Sequence, residues 1–398
     1  MTRPPLGATE RLYYADSYRR VFDAQVLHVS PHARGHAVIV DRTAFFPTSG
    51  GQSHDLGTLG GAEIVDVLDN DETIVHVVTR PLEGAVHGEI DWARRFDHMQ
   101  QHTGQHVLSQ AALRALGAQT LSVHFGAELC TLDLDLPDLT TEGVGTMEDA
   151  ANTVVFEDRP VLTRMVDETR LAELGLRRPP KKRGEIRVIE VEEFDRSACG
   201  GTHVRRTGEI GLIKIRRWER YKGGVRVEFL CGWRALRDYQ WKGALVSDLA
   251  ASFTVKDREV AEAVSRLSGQ LKERERTAAD LRDRLLEREA RDFLAGAPGS
   301  PKIITAVLER PVDELLALAG KIVATAEAAV AFATDGRLIV ACSPSLGINA
   351  AAVLRSVLEP LGGRGGGRPE FAQGAVPAEA EAAAVEAARV SLERVLHA

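Results

Sequence analysis

From Leu12 to about Asp91, short β-branched runs such as 36–40 and 73–78 alternate with Gly, Asp and Pro. Runs of that length and alternation predict strands, and the frequent turn residues predict a small barrel or sandwich. One glycine-rich loop, Phe46-Pro47-Thr48-Ser49-Gly50-Gly51-Gln52, breaks the alternation. From Trp92 to about Ala244 the texture changes. It predicts helices near 98–116 and 146–157, and strands at 121–125, 130–136, 186–192, 210–218 and 224–231. That mixture reads as α+β.

Val260, Val264, Leu267, Leu271, Ala278, Leu281 and Leu285 then recur in steps of three and four, with Arg274 interrupting the stripe. The pattern predicts a long amphipathic helix or coiled-coil arm. Gly296-Ala297-Pro298-Gly299-Ser300-Pro301 is the clearest linker. Beyond it, strands are expected at 302–308, 329–334 and 337–343, with Asp335-Gly336 turning a hairpin. Helices are expected at 312–328 and 349–361, followed by a glycine and arginine run at 362–369 and an alanine-rich helix. The expected class is therefore α+β multidomain. The expected parts are a β-barrel (1–91), an α+β domain (92–245), a helical arm (246–295) and a C-terminal α/β domain (296–398).

Charge changes the picture little: Lys+Arg 50 against Asp+Glu 57 gives a net -7, so any polyanion must be met by a local patch. Two such patches exist. Arg177, Arg178, Lys181, Lys182, Arg183 and Arg187 form one; Arg205, Arg206, Lys214, Arg216, Arg217, Arg220, Lys222 and Arg226, interleaved with Trp218 and Tyr221, form the other. No apolar stretch approaches the length of a membrane span and no leader is visible, so a cytoplasmic location is expected. Four cysteines in 398 residues are too few for a disulfide scaffold. Reduced thiols are expected, and a metal role is open.

The chemistry concentrates in two short segments. In His102-Thr103-Gly104-Gln105-His106 the histidines lie four apart and share one helix face. No Glu follows His102, which excludes the helical zinc-peptidase motif. In Cys199-Gly200-Gly201-Thr202-His203 the spacing is again four, but the glycines argue for a loop whose backbone approaches a ligand closely. Together the pairs supply four nitrogen or sulfur donors of the kind Zn(2+) prefers, one ion per chain. Four protein ligands normally close a site, whereas catalytic zinc keeps a position open. Either one ligand binds loosely, or the ion orients a substrate's amino group or ribose.

These two motifs, the 46–52 loop, Leu12-Tyr13-Tyr14-Ala15-Asp16 and Gly224-Val225-Arg226-Val227-Glu228-Phe229 resemble the AlaX family, relatives of the alanyl-tRNA synthetase editing domain. The resemblance covers most of the first 240 residues. Phe371-Ala372-Gln373-Gly374 and the preceding glycine run resemble the RNA-binding domain that ends alanyl-tRNA synthetases, an arrangement similar to the long AlaX form. No Asp-His-His motif and no adenylating core accompany it.

The resemblance implies hydrolysis of mischarged alanine tRNA, Ser-tRNA(Ala) and also Gly-tRNA(Ala), by a zinc-containing editing domain at 92–245. It implies that Gly50, Gly51, Gln52, Thr103, Thr120, Ser122 and Thr202 line the substrate pocket, with His124 and Gln52 as catalytic candidates. Gly50-Gly51-Gln52 also matches the tripeptide with which release factors cleave a peptidyl-tRNA ester, although a tight turn with a solvated Gln explains it equally. A core role competes for His124, and a surface role competes with ligand orientation for His98. Lys181, Lys182, Arg183, Arg216, Arg217, Arg364 and Arg368 are the expected RNA contacts. Homodimerisation through the arm or C-terminal domain stays open. Two alternatives remain: a non-catalytic tRNA-binding protein with structural zinc, or a deacylase for another mischarged tRNA such as the threonine type.

Overall fold

The computed structural model describes residues 7–179 and 184–397, apart from the side chains of Ala172 and Glu173. Lys181, Lys182 and Arg183 lie outside the described residues. The protein is α+β with several sheets, and the chain divides into two compact units, Met1–Leu249 and Ala250–Ala398.

In the first unit six strands pair around a closed ring. They are β1 (Val21–His32), β2 (Gly35–Val40), β3 (Gly57–Leu59), β4 (Ala62–Asn70), β5 (Thr73–Val78) and β6 (Ala85–Ile90), in the order β1-β2-β5-β4-β3-β6. Alternate residues turn inward, so Phe22, Val38, Val40, Leu59, Ile64, Ile74 and Val78 fill the interior. Helix α1 (Trp92–Leu116) follows. It begins six residues before the expected start because the Asp91 side chain caps the Arg94 amide, and it ends where Gly117 turns left-handed at φ 67°.

Against α1 and α2 (Thr141–Phe156) packs an antiparallel sheet of β7 (Thr120–Phe125), β8 (Cys130–Leu134), β12 (Ile213–Tyr221) and β13 (Gly224–Cys231). Met99, Leu108, Leu132, Met147, Val227 and Phe229 form the shared core. A second sheet joins β9 (Val161–Asp167), β10 (Glu185–Val191) and β11 (Asp195–Ala198). Ile210, expected to open a strand, closes a short 3-10 turn at Thr207–Ile210 instead.

The barrel and the α+β portion share one unit because the segment after β2 is tied to α1 from within. Arg95 and Asp55 are both fully buried and paired; Asp55 also accepts the Phe46 amide at 2.6 Å, while Arg95 donates to the Ala44 carbonyl at 2.6 Å and the Ser17 carbonyl at 2.8 Å. This knot fixes residues 43–55, and with them Gln52, against the helix that carries the histidines. Helix α3 (Gly232–Phe253) then leads out of the unit.

The second unit holds the helical arm α4 (Val260–Gly296) and a five-stranded sheet of β14 (Lys302–Val307), β15 (Ala328–Thr334), β16 (Arg337–Cys342), β17 (Gly365–Arg368) and β18 (Phe371–Ala375). Its order is β14-β15-β16-β18-β17, with only the first pair parallel. Every residue of β15 is buried, as expected for a strand covered on both faces. Helix α5 (Val312–Thr325) and the end of α4 cover one face; α6 (Ala350–Leu358) and α7 (Glu381–Leu396) cover the other. Leu286, Ala290 and Leu294 of α4 belong to that core, so the 296–301 break is a turn within the unit. The stripe Val264, Leu267, Leu271, Leu281 and Leu285 stays exposed.

Candidate metal centre

The four residues His102, His106, Cys199 and His203 converge, their ligand atoms all lying within 4.8 Å of one another. Cys199 Sγ is 3.2 Å from His102 Nε2 and 3.3 Å from His203 Nε2. In a tetrahedral zinc site an N···S edge is roughly 3.5 Å, from bond lengths of about 2.0 and 2.3 Å. The donor set therefore suits zinc in type and spacing. The loop between Cys199 and His203 presses so closely that a Cβ on Gly201 would lie 2.1 Å from His102 Cε1. Glycine is required there for that contact alone.

Each imidazole is oriented through its other nitrogen. Gln52 Oε1 lies 2.9 Å from His102 Nδ1, Asp195 Oδ2 3.2 Å from His106 Nδ1, and Thr103 Oγ1 3.1 Å from His203 Nδ1. Such partners fix ring orientation and strengthen a metal ligand. Gln52 is held in turn, its Nε2 donating to Thr202 Oγ1 at 2.8 Å and its Oε1 accepting the Thr202 amide at 3.3 Å. Gly50 and Gly51, at φ 59° and 89°, supply the left-handed turn that delivers Gln52.

Burial opposes charge on the Cys199 thiol, yet the imidazoles of His102 and His203 bring its pKa well below the usual thiol range. Burial likewise works against a protonated His106, but Asp195 and the Cys199 sulfur hold it up at about 9. His203 is pushed down to about 3 by burial. The centre thus favours the thiolate form of Cys199.

Several residues here carry no obvious signal in sequence. Asp195 and Ser197, 3.0 Å apart, face inward from β11 in the alternation Asp-x-Ser-x-Cys, which is the one legible hint. Arg177 and Arg187, which sit in the basic run, are turned inward. Arg177 donates to the His106 carbonyl at 3.2 Å and lies 3.4 Å from Asp195; Arg187 donates to the Cys199 and Gly201 carbonyls at 2.9 and 2.8 Å.

The expected pocket residues divide. In β7 the register shifts, so that Asp133 faces Ser122 but Leu134 faces Thr120. The bulge puts Thr120 on the helix side, buried, donating to Ser109 Oγ at 2.8 Å, which also accepts from Gln105 at 2.7 Å. Ser122 and His124 occupy the other, open face; both are exposed, and Ser122 donates to Asp133 at 2.5 Å. Phe125, on the helix side, places its ring 4.9 Å from that of His102. His98 makes no contact that orients His102; it is buried with Nδ1 unpartnered, and burial lowers its pKa to about 4. Among the basic residues, Arg216 pairs with Asp238 at 3.2 Å, Arg217 with Glu219 at 3.2 Å, and Arg364 and Arg368 are exposed beside and on the edge strand β17.

A barrel loop and an α+β layer thus enclose a Cys-His cluster whose donors could hold a metal ion. Residues 186–228, which include Cys199 and His203, match the second additional domain of threonyl and alanyl tRNA synthetases, and residues 300–394 match the DHHA1 domain. The chain is 34% identical to an alanine–tRNA ligase of Thermococcus kodakarensis over 96% of its own length and 43% of that protein. It is 33% identical to one of Pyrococcus furiosus over 98% of its length and 44% of that protein. It spans less than half the length of these relatives. The C-Ala domain of Aquifex aeolicus alanyl-tRNA synthetase is similar at 27% identity, covering 25% of this chain and 95% of that one, with a TM-score of 0.22. The chain is thus similar to alanyl-tRNA synthetases over nearly its whole length, and carries segments that match their second additional domain and the DHHA1 domain.

Proposed function

We propose that this protein edits mischarged alanine tRNA, hydrolysing the 2′ or 3′ ester of Ser-tRNA(Ala) and, more slowly, of Gly-tRNA(Ala). The observation that carries the reading is the pinned cluster of His102, His106, Cys199 and His203 beside the Gly50–Gln52 loop, in a chain similar over nearly its whole length to alanyl-tRNA synthetases. Those four residues would hold one Zn(2+), which when bound supplies a positive charge to anchor or polarise the aminoacyl ester. Water adds to the carbonyl carbon, the ester C–O bond breaks, and free amino acid and a tRNA hydroxyl result. Aminoacyl esters are labile, so positioning supplies much of the rate.

The protein's own side chains do the positioning. Gln52 has its oxygen committed to His102 and its nitrogen to Thr202, so it holds the imidazole rather than taking a proton. Thr103 and Thr202 are the hydroxyls built into the cluster, and Thr120 heads the buried chain through Ser109 to Gln105. Ser122 and His124, on the open face, are assigned no part in the chemistry. Arg216, Arg217, Arg364 and Arg368 are assigned to the tRNA backbone, as are Lys181, Lys182 and Arg183 from the sequence pattern.

Four protein donors also favour a second reading, a non-catalytic tRNA-binding protein with structural zinc. One experiment separates these from a deacylase of other specificity: Ser-, Gly- and Ala-charged alanine tRNA and Ser-charged threonine tRNA are incubated with the protein, with and without chelator. Loss of the ester from Ser-tRNA(Ala), sparing Ala-tRNA(Ala), is the expected result. No turnover of any substrate would establish the second reading.

A further inference from the structure

Next to the cluster lies a cavity of about 640 Å³, bounded by Gln52, the first turns of α1, the β7–β8 turn and the start of α3. Its walls combine aromatic rings with cationic side chains. Trp92 and Phe96 pack with ring centroids 5.6 Å apart and planes tilted by 35°, and Arg20 lies over Trp92 at 4.0 Å. Opposite them Trp233 is 57% exposed, an unusual state for so large an apolar ring.

The cations differ in commitment. Arg234 is neutralised by Asp97, with Nε 2.9 Å and Nη2 2.6 Å from its carboxylate oxygens. Arg94 uses Nε for the His54 carbonyl and Arg237 is exposed; neither forms an ion pair among the described residues. At the inner end stand Gln52, bonded to His102, and His98, one helical turn before His102.

Flat aromatic surface, uncommitted guanidinium groups and a floor leading to the metal centre match the parts of one ligand: a base to stack, a phosphate to neutralise, and a ribose between them. We infer that this cavity seats the 3′-terminal nucleotide of the RNA, its base against Trp233, its phosphate at Arg94 and Arg237, and its ribose hydroxyls directed past Gln52 towards the cluster. The inference rests on the proposed function for the identity of the RNA. It assigns a role to side chains outside the metal motifs, and stacking makes the recognition tolerant of which base is present.

Binding of a synthetic, uncharged acceptor-stem RNA, with and without its 3′-terminal nucleotide, tests this without turnover. Removing that nucleotide should weaken binding to the native protein roughly 5- to 150-fold, the range set by one stacked base. Trp233→Ala should bind the intact RNA more weakly and lose most of the difference between the two RNAs, keeping only the part owed to the phosphate at Arg94 and Arg237. Trp233→Phe should restore the difference. Arg237→Ala should weaken binding of the intact RNA and flatten its salt dependence. Equal affinities of the native protein for both RNAs, or an undiminished difference in Trp233→Ala, would overturn the assignment. So would adenosine monophosphate displacing the RNA at concentrations near the RNA's own Kd, which would mark a free-nucleotide site. A protein that passes these tests yet cleaves no aminoacyl ester would refute the proposed function while leaving this assignment intact.

Discussion

Replacing Asp55 by Ala attacks the tie between the barrel loop and α1. The carboxylate is fully buried, pairs with Arg95 and accepts the Phe46 amide. Its removal leaves a guanidinium in a dry interior with only the Ala44 and Ser17 carbonyls, and an amide without an acceptor. Breaking a buried pair by deleting one partner costs about 3–5 kcal/mol, because the remaining charge is uncompensated. The loop that carries Gln52 should loosen as well, and with it the His102 ring. The assay is urea unfolding of the full chain, followed by tryptophan fluorescence, since all four Trp residues lie in the first unit. The double variant Asp55→Ala/Arg95→Met should be more stable than Asp55→Ala, because the stranded charge is gone. A loss below about 1 kcal/mol in the single variant, the range of an exposed pair, would refute the reasoning.

Four further outcomes are expected. Cys199→Ala should lower zinc from about one ion per chain and abolish deacylation; full zinc with full activity would show that the ligand set is wrong. Burial holds His76 neutral in the barrel with its pKa lowered to about 4, so the unfolded chain binds the extra proton first and stability falls as pH drops from about 6.5 towards 4. The contribution lost is on the order of 3 kcal/mol, and a His76→Leu protein should show a shallower loss across that window in acid-titrated urea melts. Thr120→Val should lower kcat/KM for Ser-tRNA(Ala) more than for Gly-tRNA(Ala), because a site built to bond a hydroxyl gains nothing from glycine, whereas Ser122→Ala should change neither. Arg364→Ala/Arg368→Ala should raise KM for charged tRNA with kcat nearly unchanged, and an unaltered KM would remove the edge strand from RNA binding.

The four candidate donors that converge are legible in sequence because local geometry declares them: spacing of four on a helix, and spacing of four across a glycine loop. Their supporting partners are not, since Gln52 meets His102 and Asp195 meets His106 only through long-range packing. A basic run reads as a solvated or RNA-facing surface, yet Arg177 and Arg187 lie in it and are spent on backbone carbonyls beneath the cluster. Alternation along β7 groups Thr120 with Ser122 and His124; one bulged residue moves Thr120 to the opposite face, and such a register shift depends on the partner strand. The helices and first three strands of the second unit follow the apolar pattern closely, because its central strands are buried on both faces and its turn at Asp335-Gly336 needs two left-handed residues, whereas β17 and β18 are not foreseen, since a glycine run carries no apolar alternation. The break at 296–301 has linker composition but joins elements of one core, since the last turns of α4 pack into it.

The centre is stitched from distant parts of the chain: Cys199 meets His102 across 97 residues, and Gln52 meets Thr202 across 150. Contacts of that span are among the slowest to form, because the intervening chain must be gathered before they yield anything. On a ribosome, the barrel and the histidine helix emerge first and remain chemically mute until the Cys-Gly-Gly segment follows. A chain interrupted anywhere before residue 199 therefore carries at most half a cluster and no pinned Gln52. The site comes into being only in molecules whose first unit is nearly complete.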